Sequence, residues 1–159
     1  MFEKLKGFLG ISSEPRKNGD PREVAALRSF YHLELRLAEQ IKTHAEGAPY
    51  PHVAQRLSEV AQEKAKSCEH LQIILQKLGS RADAEQQLQI KGGRNHWERL
   101  SKDVQDQAEV ERKLRELTFF VDQVPEITSV LNDMLASEVL NRNILVDLLM
   151  RADPQAHQL

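Results

Sequence analysis

The sequence predicts an all-α protein, a single bundle of four long helices, and three observations carry that prediction. The first is composition. Of 159 residues 40% are apolar but only 5% aromatic, and the strong helix formers Leu, Ala, Glu, Gln, Lys and Arg recur throughout. The second is periodicity: in four stretches apolar residues return at steps of three and four, the stripe of a core-facing helix rather than the two-residue alternation of a strand. The third is punctuation, because Pro, Gly, Asp or Asn bounds each stretch where a helix end would need it. A chain of this length fills one domain with a sizeable core. The expected divisions are a short amphipathic segment and linker over 1–19, the bundle over 20–152 and a polar tail over 153–159.

Residues 1–11 place Phe2, Leu5, Phe8 and Leu9 around Lys4 and Lys6. That is too short and interrupted for a signal peptide. It suits a small amphipathic helix that docks on the bundle, on a partner or weakly on a membrane. The first long helix is expected over 21–46, with Asp20 as N-cap, Pro21 at the first position and Glu23 closing a capping box. Its seam reads Val24, Leu27, Tyr31, Glu34, Ala38, Ile41. The second, over 51–78, ends at Gly79 and reads Val53, Leu57, Val60, Lys64, Ser67, Leu71, Ile74, Leu78. The third starts at the Asn95 cap, runs to about 122 and reads Leu100, Val104, Ala108, Glu111, Leu114, Thr118, Val121. The fourth opens on Pro125, runs to 151 and reads Ile127, Leu131, Met134, Glu138, Asn141, Leu145, Leu148.

Each helix would be about 40 Å long. The first and last connections are tight, so they join antiparallel hairpins. The middle one, 80–94, has room for a short helical piece over 82–90 and could extend roughly 50 Å. The expected topology is therefore two antiparallel hairpins joined by a crossover that runs the length of the bundle.

Three carboxylates interrupt the seams near mid-helix: Glu34, Glu111 and Glu138, with His70 beside the second seam. Mid-helix layers meet in a bundle whichever way its helices run, so these groups should converge. An unpaired buried carboxylate costs several kcal/mol, and a metal ion is the first candidate to compensate it. Residues 20–151 here resemble the ferritin-like superfamily, whose dinuclear site takes one Glu from each of two helices and a Glu-x-x-His from each of the others. The resemblance implies Glu34, His70, Glu111 and Glu138 as metal ligands. Ser67 stands where the second helix should supply its Glu, and Asn141 where the fourth should supply its His; Glu109 is a less well-phased substitute for Glu111. The stretches LRSFYHLELRLAEQ and CEHLQIILQKLG are also similar to a small bacterial, stress-associated branch of that superfamily.

With two ligand positions lost, the resemblance implies at most one divalent ion, Fe(II), Mn(II) or Zn(II), held by Glu34, His70 and Glu138. Ferroxidase or oxygen-activating chemistry, which needs both metals, is not expected. The residues alone leave a second reading open. Glu34 could be protonated against Glu138, with His70, Ser67 and Asn141 as partners and Lys64 nearby. The layer would then be a metal-free relic inside a structural or interaction module.

Other signals exclude more than they assign. A net charge of −2 with interspersed signs gives no footprint for nucleic acid. No apolar run approaches the ~20 residues that span a bilayer. The one cysteine, Cys68, forms no internal disulfide and suits a reducing cytoplasm; it reads as a small buried apolar residue. His32, His44, His52 and His96 read as solvated at helix ends or flanks. Leu33, Leu37, Ile73, Phe119 and Val146 lie off the seams and predict a second buried face, hence a homodimer.

Overall fold

Helix α1 (Pro21–Glu46) starts at Asp20, whose carboxylate accepts the Arg22 N–H at 2.9 Å, with Pro21 at the first helical position. Both features deal with N–H groups that a helix start leaves orphaned. Helix α2 (Pro51–Lys77) also opens on proline. It ends where Gly79 takes φ of 74°, a left-handed conformation that glycine adopts without strain, and Ser80 N–H bonds back to the Leu75 carbonyl at 2.8 Å. Helix α3 (His96–Phe120) is capped by Asn95, which accepts the Glu98 N–H at 2.8 Å, while Glu98 reaches back to the Arg94 N–H. Helix α4 (Pro125–Arg151) begins at Pro125. This computed structural model describes residues 19–82, 88–121 and 124–153. The amphipathic segment expected at 1–11 and the tail after 153 lie outside the described residues. Of the short helical piece expected over 82–90, residues 83–87 lie outside them, and the described positions on either side are not helical.

The four helices form an all-α bundle in which α1 packs on α2 and α3, and α4 packs on α2 and α3. Side-chain bonds give the directions. Tyr31 meets Gln72 and Glu34 meets Lys64, so α1 and α2 are antiparallel; Arg36 meets Asp106 and His44 meets Asp103, so α1 and α3 are antiparallel too. The exit of α2 lies beside the start of α1, where Arg28 donates to the Arg81 carbonyl at 3.2 Å. By residue 91 the chain is at the other end, where Lys91 N–H donates to Gln40. The connection thus runs lengthwise, by about 20 Å at 1.5 Å per helical residue, and reverses the second hairpin relative to the first.

Leu27, Ile41, Leu57, Leu71, Leu100, Leu114 and Leu131 are fully buried, and the seams of α2 and α4 point inward as expected. Helix α3 departs from the sequence reading. Its buried line is Leu100, Asp103, Gln107, Val110, Leu114, Leu117, Val121, while Val104 is half-buried and Ala108 exposed. The helix is rotated because Asp103 and Gln107 find bonding partners on α1 and α4 that outweigh burial of one valine and one alanine. Leu37, expected on a second apolar face, belongs to the core, and Leu33, Ile73 and Val146 are half-buried. Phe119 does remain 83% exposed.

A buried polar cluster ties the crossover down. The Gln40 amide donates to Asp103 at 2.8 Å and Asp106 at 3.1 Å, and its oxygen accepts the Lys91 N–H at 3.0 Å. His44, which the sequence reading left in solvent, is instead buried with Nδ1 2.7 Å from Asp103 and Nε2 3.0 Å from the Lys91 carbonyl. Burial would raise the Asp106 carboxyl, but Lys91, Gln40 and Arg36 together hold it below its ordinary value. Gln40→Leu would remove one donor from each of two buried aspartates and one of the two bonds that hold the backbone of residue 91. Urea denaturation should show a loss of about 3 kcal/mol; an unchanged midpoint would mean that this cluster does not hold the crossover.

Candidate functional site

Lys64 lies on the same face of α2 as Val60, Ser67 and Leu71, spaced three and four residues apart. That face is buried, so the lysine is carried into the core and is wholly inaccessible. Its ammonium Nζ sits 2.7 Å from Glu138 Oε2 and 3.3 Å from Glu34 Oε2. Both glutamates are also wholly buried. Gln107 of α3 completes the layer, its amide donating to Glu138 Oε2 at 2.7 Å and to the Glu138 carbonyl at 3.0 Å. The Asn141 amide reaches the same carboxylate at 3.5 Å. One residue from each helix, Glu34, Lys64, Gln107 and Glu138, therefore meets at the bundle centre.

Two carboxyls and one ammonium would leave the layer with a net negative charge, which a low-dielectric core penalises. The two carboxyls respond in opposite directions. Burial, then the Glu138 charge, push the Glu34 carboxyl well above its ordinary value, against the opposing pull of Lys64. Burial acts on Glu138 in the same sense, but Lys64, the Glu34 hydrogen bond and Gln107 outweigh it and lower its carboxyl to about 2. Glu138 has the closer donors, so it keeps the charge. Glu34, the carboxyl held upward, is the readier of the two to take a proton, and Glu138 Oε1 is buried beside it with no hydrogen-bond partner. Burial alone would lower the Lys64 ammonium, but Glu34 and Glu138 raise it and it stays charged. At any pH between the lowered value of Glu138 and the raised value of Glu34, the layer is a neutral triad of Lys64⁺, Glu138⁻ and protonated Glu34.

Of the four expected metal ligands, the structure brings together only Glu34 and Glu138. Glu111 is buried one turn further along α3, between Arg142 at 2.8 Å and Arg115 at 3.5 Å. Its alternative, Glu109, pairs with Arg112 at 2.7 Å on the outside. His70 lies six residues beyond Lys64 on α2, about 9 Å along the axis. Burial lowers its imidazole, and the charges acting on it include Glu69, Glu63 and Lys66 of its own helix rather than the central pair. Ser67 gives its hydroxyl to the Glu63 carbonyl at 3.3 Å. Among the described residues no three His, Cys, Asp or Glu side chains gather to hold a metal.

The donor set does not fit a resident metal ion. The space between the two carboxylates is taken by an ammonium group, which would repel a divalent cation. The amides of Gln107 and Asn141 turn N–H groups, not oxygens, toward Glu138. No protein-family model matches this chain, and no curated protein matches its sequence. Gln107 was not legible as a site residue, because Ala108 beside it offered a better apolar phase.

The protonation pattern fixes the sign of the pH response. Glu34 is raised above its unfolded value of about 4.3. Its contribution is complete below that pH and is lost as pH climbs through the folded value. Glu138 is lowered to about 2, so its contribution is present above about pH 4.3 and lost as pH falls toward 2. Glu34→Gln keeps a neutral donor and cannot ionise. In urea denaturation the variant should gain on the wild type between pH 5 and pH 8, by about 1.4 kcal/mol per pH unit of Glu34's shift crossed. An equal difference at both pH values would mean that Glu34 is ionised. Lys64→Met should cost about 3–5 kcal/mol by stranding Glu138.

Proposed function

We propose that this chain is a ferritin-like bundle that has exchanged metal for an internal cation, and that it works as a structural or interaction module rather than as an oxidase. The observation that carries the reading is the position of Lys64 Nζ, in bonding distance of both Glu34 and Glu138 at the bundle centre. The connectivity of two hairpins and one lengthwise crossover, with acids at mid-helix, supports the kinship as a likeness of fold. The charge logic supports the loss of metal: an ammonium group bonds both carboxyls, and the upward shift of Glu34 lets a proton offset the remaining charge. Cys68, buried with its thiol raised by burial, suits a cytoplasmic setting. No helix among the described residues is long and apolar enough to cross a membrane.

Metal analysis of protein purified without chelator should give far less than one Fe, Mn or Zn per chain. Restoring carboxylate and imidazole with Ser67→Glu and Asn141→His should not create a site while Lys64 remains. Adding Lys64→Ala to that pair should create one, measured by Fe(II) or Mn(II) titration. Stoichiometric metal in the unaltered protein would overturn the reading.

An interaction module needs a surface, and the groove between α1 and α3 offers one. Its floor is Ala26, Phe30, Leu33 and Leu117, with Phe120 half-exposed at its end. Arg22 and Lys113 on its edges alternate with Glu109 and Glu116. Mixed signs around an apolar floor suit a second copy of the chain turned about a two-fold axis, each acid meeting a base. Light scattering at tens of micromolar should give a dimer mass that Leu33→Glu or Phe120→Asp reduces to a monomer. A wild-type monomer would leave the groove without this partner.

A further inference from the structure

At the end of the bundle where α2 and α3 begin and α4 ends, far from the Lys64 layer, lies a part-enclosed cavity of about 820 Å³. Its size is that of a small-molecule site. Val53, Ile144 and Leu148 contribute an apolar floor, while Tyr50, His52, His96 and Trp97 bring flat rings to its walls. Tyr50 is 60% exposed and stacks on His52, ring centroids 5.8 Å apart and 20° from parallel. An exposed ring stacked beside an open cavity makes a shelf for another flat group.

The charges there favour an anion. Three arginines, Arg56, Arg99 and Arg151, line the cavity against two aspartates, Asp147 and Asp153. Arg56 is paired with Glu59 at 2.6 Å and Arg151 with Asp147 at 3.2 Å. Arg99 differs. Its Nη1 donates to the Gly93 carbonyl at 3.3 Å and its Nε–H is buried with no acceptor, so it bonds to no carboxylate among the described residues. The loop before α3 holds the root of this side chain closely, since a Cβ on Gly93 would stand 2.8 Å from the Arg99 backbone nitrogen. Helix α2 also starts here with no side-chain cap and no acid in its first turn, leaving its positive end uncompensated.

We infer that this cavity binds a small ligand joining a flat ring to an anionic group, its ring against Tyr50 and Trp97 and its anion at Arg99. A nucleotide and an aromatic carboxylate both carry that chemistry. The site is independent of the buried triad and of whether metal is bound there.

Trp97 is the only tryptophan in the chain, so its fluorescence reports occupancy. The probes are adenosine monophosphate and 2-naphthoate, with adenosine, naphthalene and inorganic phosphate as half-ligands. The expected result is saturable quenching by at least one ring-bearing anion, with each of its half-ligands at least tenfold weaker; the tighter of the two anions identifies the source. Arg99→Gln should weaken binding at least tenfold, and raising salt should weaken it in the wild type but not in that variant. Tyr50→Ala, at an exposed position, should weaken binding of the ring-bearing anion alone. Arg112→Gln, on the far outer face, should change nothing. Absence of saturable quenching by either anion at ~10 mM, far weaker than a ~1 mM site, would overturn the inference. So would phosphate binding as tightly as adenosine monophosphate, or undiminished binding in a folded Arg99→Gln protein.

Discussion

Everything in the bundle is arranged around one buried charge. An ammonium group with no access to water survives in a protein interior only beside a carboxylate, and Lys64 has Glu138 at 2.7 Å. That pair cannot form within either hairpin alone, since Lys64 belongs to the first and Glu138 to the second. The hairpins must therefore dock in one register, because sliding either by a helical turn, about 5.4 Å, would leave both charges bare. Gln107 and Glu34 then enter as accessories, one by donating to the carboxylate and the other as a second acceptor for the ammonium group. The leucine layers above and below could pack in several registers; the charged layer permits one.

The crossover is governed by a second polar set, and the two sets divide the work. Gln40, His44, Asp103 and Asp106 lie at one end of α1 and α3; Gln40 and His44 grip the backbone of residue 91 and Asp106 its ammonium group. They decide where the second hairpin starts, and the central triad decides how far along it lies. Both sets draw on α3, which explains why that helix turns Asp103 and Gln107 inward in preference to Val104 and Ala108. Burying two methyl-bearing side chains is worth only a few kcal/mol, less than stranding a lysine–glutamate pair and two aspartates.

The fold was legible in the sequence because its signals are local and redundant. Asp20, Pro21, Gly79, Asn95 and Pro125 mark the helix ends within a residue, and three of the four seams repeat apolar residues without competition. The length of the middle connection sufficed for its lengthwise path. The site was half legible. Glu34 and Glu138 announce themselves as acids on otherwise apolar lines, and Lys64 stands on its own seam in the same way. What failed was α3, where apolar phase pointed to Glu111 and only the bonding partners on other helices select Gln107. Spacing shows which residues share a face but not what lies opposite, so the place near the acids went to His70 and not to Lys64, about 9 Å away along the same helix. His44 was missed for the same reason, because its burial depends on an aspartate and a loop remote in sequence.

The reversed second hairpin has a mechanical consequence. In a simple up-and-down bundle of four helices the chain enters and leaves at the same end, and tension between its ends would peel the helices apart singly. Here α4 runs parallel to α1, so Gly19 and Arg151 emerge at opposite ends of a rod about 40 Å long. Tension applied between them loads every helix interface in shear, and the Lys64–Glu138 bond lies across the line of slip. Sliding the two hairpins past each other along that line would have to part a buried ion pair.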